Sequence, residues 1–230
     1  MPKIYISPSS QEANLYATGG TEEQYMNQVA DILCPELTRH GIEFMRNKIG
    51  NDYDDHVKES NAYDPDYHLA IHTNAGGGKG CTSFCFDATD DTRPGTQFAT
   101  KLYNQIIAIS PFPGRGVRST TMDEVEKVNA PSCLIEIEFH DNPEGADWIK
   151  GHIPEIAQAL LMGVLEQFGI AYIPPVNYQE LYEELWYITE DLKAQNAALK
   201  TELDKVNTDL AAANTTIDET RKCIKYLNNI

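Results

Sequence analysis

The chain has 230 residues, 41% of them apolar, and a formal net charge of −17 from 18 Lys and Arg against 35 Asp and Glu. That is enough chain for one well-buried domain plus an accessory element. The acidity argues against nucleic acid as the main partner, because phosphate binding needs clustered Lys and Arg, and it disfavours plain electrostatic docking on anionic membranes or polymers.

"KIYIS" opens the chain as a short apolar strand, and the polar loop "PSSQEANLYATGGT" follows it. No secretory signal pattern is present at this end, and no stretch approaches about 18 uninterrupted apolar residues, so no membrane span is expected. "TEEQYMNQVADILCPELTRHG" reads as an amphipathic helix, with Thr21 as its cap, Gly41 at its end, and Tyr25, Val29, Ile32, Leu33 and Leu37 on one face. "IEFMRN" is a second strand, "DDHVKESNAY" a second helix and "YHLAIHTN" a third strand. "GCTSFCFD" alternates like an exposed-face or edge strand, and "RPGTQFATKLYNQIIAI" is helical. "CLIEIEF" is a late strand, and a closing helix runs over residues 145–169, with Pro154 marking a start or kink. Strands alternating with helices predict an α/β domain with a mostly parallel sheet flanked by helices.

The five cysteines are odd in number and scattered. Cys81 and Cys85 make a C-x3-C pair with no second pair, so free thiols are expected rather than a zinc ribbon. "AYIPPVNY" (171–178) divides the chain. Beyond it no Gly or Pro occurs, and Leu181, Leu185, Ile188, Leu192, Leu199, Leu203, Val206, Leu210, Ala213, Ile217, Ile224 and Leu227 follow a heptad spacing with a stutter between Leu192 and Leu203. Asn196 falls in the seam there. The expected organisation is a domain over 1–172, a Pro-containing linker over 173–178, and a coiled-coil helix over 179–230 that makes the chain a homo-oligomer. So long a helix with one thin apolar stripe gains too little on its own to stand alone in water.

In parallel sheets, chemistry collects at the carboxyl ends of strands. His72 ends the third strand and Glu136 interrupts the late one, where an unpaired carboxylate is costly. The glycine run Gly76–Gly80 lacks the Lys-Ser/Thr of a nucleotide loop. Glu22 reads as a solvated first-turn residue that complements the helix dipole. His40, His56, His68 and His152 carry no motif context and read as surface or structural residues.

Taken together, "SNAYDPDYHLAIHTNAGGGKG", "GRGVR" and "APSCLIEIEFHDNPEG" resemble the zinc-dependent N-acetylmuramoyl-L-alanine amidases of the amidase-3 type, found among autolysins and phage endolysins. The resemblance covers about residues 3–170. It implies a peptidoglycan hydrolase that cleaves the amide between muramic acid and L-alanine, with zinc as cofactor and no nucleic-acid or membrane partner. It implies metal ligands at Glu23 and His72, Glu136 as the general base, and Asn74 and Arg118 on the substrate. Lack of a leader fits a phage or prophage lysin made in the cytoplasm that acts on the wall after release. One departure stands out. The family's loop His after the first strand falls here on Ser10 or Gln11. Three explanations are open: another residue supplies the ligand, with His140 first and Glu138 and Glu12 behind it; Gln11 binds weakly or through water; or the site is metal-free and the domain is a binding or assembly module.

Overall fold

A computed structural model describes residues 1–50, 53–175 and 177–228. The chain divides into two compact units, Met1–Ile173 and Pro174–Ile230.

In the first unit six strands form one sheet in the order β2-β1-β3-β6-β4-β5. They are β1 (Lys3–Pro8), β2 (Glu43–Arg46), β3 (Tyr67–Asn74), β4 (Thr82–Cys85), β5 (Val117–Ser119) and β6 (Ser132–Phe139). All pairs are parallel except β4 with β6. β4, expected as an exposed-face or edge strand, lies one place inside the sheet. The three-residue β5, which has too little pattern to read from sequence, is the edge on that side, and β2 is the other.

Pleating sends alternate side chains to opposite faces. One face carries Ile4, Ile6, Leu69, Ile71, Cys133, Ile135 and Ile137, all fully buried in the main core. It packs under α1 (Glu22–Arg39), α3 (Pro94–Ile109) and α6 (Ile153–Phe168). The other face carries Tyr5, Ser7, His68, Ala70, His72, Ser132, Leu134 and Glu136. It is covered by α2 (Tyr53–Tyr63) and the short α4 (Asp123–Glu126), with Val125 packed on Ala70 and Leu134. The two layers thus differ in kind: one is an ordinary apolar core, the other polar and buried.

Helix α1 starts where expected, since Thr21 Oγ1 accepts from Gln24 N at 3.1 Å. Gly41, at φ 74°, ends it with its N–H on Thr38 O. The closing helix is two helices, α5 (Pro143–Gly151) and α6, broken at His152, and Pro154 stands in the first turn of α6. The five cysteines are free.

The second unit holds α7, 50 residues over Tyr178–Leu227, which bears the heptad residues. They stay exposed along it, Leu185 at 54% and Leu210 at 57% among them. Val176 of the linker and positions 229 and 230 of the expected coil lie outside the described residues. No described helix is long and apolar enough to cross a membrane.

Candidate active site

Parallel register puts His72 directly opposite Glu136 on the polar face, at the carboxyl end of β3. A cavity of about 350 Å³ opens there, lined among others by Ser10, Gln11, His72, Glu124, Leu134 and Glu136. The loop after β1 delivers Ser10 and Gln11 to it.

His72 is the centre of the arrangement. Its Nδ1 lies 2.9 Å from Glu22 Oε1, and its Nε2 lies 3.4 Å from Glu124 Oε2. Burial alone lowers an imidazole pKa, but the two carboxylates raise this one well above its ordinary value. Glu22 also accepts from Thr73 N at 3.1 Å and from Asn14 Nδ2 at 2.6 Å. Burial works to raise its carboxyl, yet these donors and His72 hold it below the usual range.

The helix-start carboxylate at the site is therefore Glu22, not Glu23. Glu22 is 1% exposed and in phase with Met26, Val29, Leu33 and Leu37 on the buried stripe of α1. Glu23 is one residue, or about 100° of turn, away from that stripe. The reading of Glu22 as a solvated residue is corrected on the same ground.

Glu136 differs from Glu22 in having no donor at one oxygen. Its Oε2 is buried without a hydrogen-bond partner. Burial, with Glu22 adding and His72 opposing, pushes its carboxyl up to about 7.

Glu124, which the sequence reading did not single out, is buried and surrounded. Ser7 Oγ donates to its Oε1, His68 Nε2 lies 3.3 Å from that oxygen and His56 Nδ1 3.6 Å. Burial would raise the carboxyl, but the three histidines hold it well below its ordinary range. His56 and His68, read from sequence as structural or surface residues, are thus part of the site's support.

His140 is buried and stacked on Tyr16, and its Nδ1 comes within 3.9 Å of Glu22 Oε2. That nitrogen also faces Thr73 Oγ1 at 3.0 Å and Thr73 O at 3.2 Å. His140 Nδ1 is thus engaged by Thr73 rather than set beside His72. Glu138 is occupied by Gly80 N and its own Phe139 N, and Glu12 is exposed. Asn74 Oδ1 accepts from Ala75 N, and exposed Arg118 donates from Nε to Arg115 O. Neither residue lines the cavity.

A zinc site can be tested against this donor set. Glu22 and His72 bring one carboxylate oxygen and one imidazole nitrogen, both usual zinc donors, into direct contact, and the second nitrogen of His72 meets a carboxylate, as ligating imidazoles commonly do. The unpartnered Glu136 oxygen beside them is where an attacking water would be received. This pair fits zinc. A cage of three protein side chains does not form: among the described residues, no group of three or more His, Cys, Asp or Glu is arranged to hold a metal ion.

Compared with known proteins, residues 8–166 match the family model described as N-acetylmuramoyl-L-alanine amidase. The chain is 26% identical over 179 residues to the sporulation-specific N-acetylmuramoyl-L-alanine amidase of Bacillus subtilis, covering 74% of this chain and 69% of that protein. It is 26% identical over 222 residues to the N-acetylmuramoyl-L-alanine amidase CwlM of Bacillus licheniformis, covering 93% and 80%. The fold matches the crystal structure of an N-acetylmuramoyl-L-alanine amidase from Clostridium difficile with a TM-score of 0.67 at 18% identity, over 73% of this chain and 97% of that one.

Proposed function

The chain belongs to the N-acetylmuramoyl-L-alanine amidase family, and on that premise we propose how its residues hydrolyse the amide between N-acetylmuramic acid and L-alanine in peptidoglycan. Residues 1–172, within the first compact unit, form the catalytic domain in this proposal. Glu136 is the general base. It takes a proton from the attacking water as the new C–O bond forms, and returns it to the amine as the C–N bond breaks. The products are the lactyl carboxylate and a free L-alanine amino group.

The observation that carries this role is the buried, unpartnered Oε2 of Glu136 beside His72. A carboxylate with one oxygen free of donors, and pushed by burial up to about 7, is suited to move a proton at physiological pH. Glu22 and His72 are the residues that would hold zinc, beside the cavity that Ser10 and Gln11 line with His72. When bound, the ion supplies Lewis acidity toward a carbonyl oxygen and a water. The substitution Glu136→Gln tests the assignment: release of free L-alanine amino groups from purified peptidoglycan falls by about 10²–10⁴-fold while the fold and wall binding persist. Release at the parent rate would remove Glu136 from the chemistry.

A second reading has one observation in its favour, the neutral Ser10 and Gln11 in place of the loop imidazole. Under it the domain is a non-catalytic binding module, and the parent chain itself releases no amino groups. The heptads of α7 support self-association as a coiled coil, which would gather several catalytic units on a polymeric substrate.

A further inference from the structure

Glu124 sits on a helix of only four residues, yet its carboxylate is buried and faces three histidines and a serine hydroxyl. Ala70 leaves the space for it. His68 and His72 flank Ala70 on the same face of β3, and Val125 anchors α4 against Ala70 and Leu134. Glu124 thereby spans the gap between the two imidazoles. Its Oε1 takes the Ser7 hydroxyl and faces His68 Nε2 at 3.3 Å, close enough for charge attraction but off the line of a hydrogen bond. Its Oε2 faces His72 Nε2 at 3.4 Å.

The partners are themselves held. His68 Nδ1 lies 2.9 Å from Ser60 Oγ, and its ring stacks on Tyr5. His56 Nε2 lies 2.9 Å from Asn47 Nδ2, and its Nδ1 lies 3.0 Å from Ser7 Oγ. A buried carboxylate braced this way has little freedom to move. Packing alone would be served by an apolar residue at this place, beside Val125 and Leu134.

We propose that Glu124 is a positioning residue for His72: it receives the Nε2 edge of the ring and so keeps Nδ1 turned toward Glu22, where the cation is taken up. This rests on the zinc reading above. Which nitrogen of a ligating imidazole meets the metal is set by the partner of the other nitrogen. Because no loop imidazole shares the load here, the orientation of the one ligating His matters more than in a three-side-chain cage.

The test uses the full chain, prepared metal-free with 15N-labelled histidine, with the ring signals of His72 assigned by loss in His72→Gln. The parent is expected to show a hydrogen-bonded, slowly exchanging Nε2–H. In Glu124→Gln that proton moves upfield and exchanges faster, and zinc affinity, read by competition with a chelating dye, falls about 10–100-fold. Glu126→Gln, on the exposed side of the same helix, leaves both readouts at parent values. A folded Glu124→Gln protein with the parent's Nε2–H signal and zinc affinity overturns the proposal. Should Glu124→Gln fail to fold, Ser7→Ala, which frees one carboxylate oxygen, is expected to shift the same proton in the same direction, and an unmoved signal overturns the proposal. If the parent takes up no zinc, the zinc reading falls by itself, and the Nε2–H signal alone decides the positioning role.

Discussion

Glu22, Glu124 and Glu136 lie within one small region, yet their environments drive them apart. Glu22 and Glu124 are met by donors and imidazoles and stay ionised. Glu136 is met by little and is raised to about 7. Environment therefore separates two anchoring carboxylates from one proton carrier. The sign of the pH dependence follows. A base acts in its deprotonated form, so the rate of amide hydrolysis rises as pH climbs through about 7 and levels above it. A flat profile between pH 5 and 8 would contradict this. Ligand assignment is tested at the same scale. Glu22→Gln is expected to lower zinc affinity at least tenfold in a chelator competition, whereas Glu23→Gln stays at the parent value, because only Glu22 lies on the buried stripe beside His72. Equal losses in both would return the choice to an open question of helix phase.

At the scale of elements, β3 and α4 decide the site together. β3 alternates His68, Ala70 and His72 on one face with Leu69 and Ile71 on the other, so one strand serves both an apolar core and a charged one. The small side chain of Ala70 is what lets α4 approach. Enlarging it, as in Ala70→Leu, is expected to overpack the seat of Val125 and displace Glu124, at a cost of about 1–3 kcal/mol in urea denaturation. A substitution that left both stability and the His72 ring signals unchanged would show that α4 does not need that space.

At the scale of the whole chain, the two units differ in what can stabilise them. Residues 1–173 bury their own apolar core, whereas α7 exposes its apolar stripe along 50 residues. A single helix with that stripe gains little from water and much from a partner. Sedimentation at micromolar concentration is expected to give an oligomer for the full chain and a monomer for a chain truncated after Ile173, with the truncated chain retaining its thermal transition. A monomeric full chain would end the coiled-coil reading.

What the sequence determined by itself is what local pattern encodes. Alternation in "YHLAIHTN", the cap at Thr21, the proline joint and the heptads each act over a few residues, and each is legible without a partner. The placing of His72 and Glu136 on their strands was legible too, since polar residues stand out against apolar runs. The remainder was decided by contacts across the chain. Glu124 lies in the short segment "MDEVEK", whose four-residue helix leaves no periodic trace, and its importance comes from histidines 52 to 68 residues away. Whether Glu22 or Glu23 faces inward depends on the phase of α1 against the sheet, which one turn of acidic residues does not express. His140 shows the converse. Its neighbourhood in sequence pointed to the metal, but the β3–β6 pairing hands its Nδ1 to Thr73. Register between strands is a tertiary quantity, and it settles which of several equally placed side chains shares a cavity.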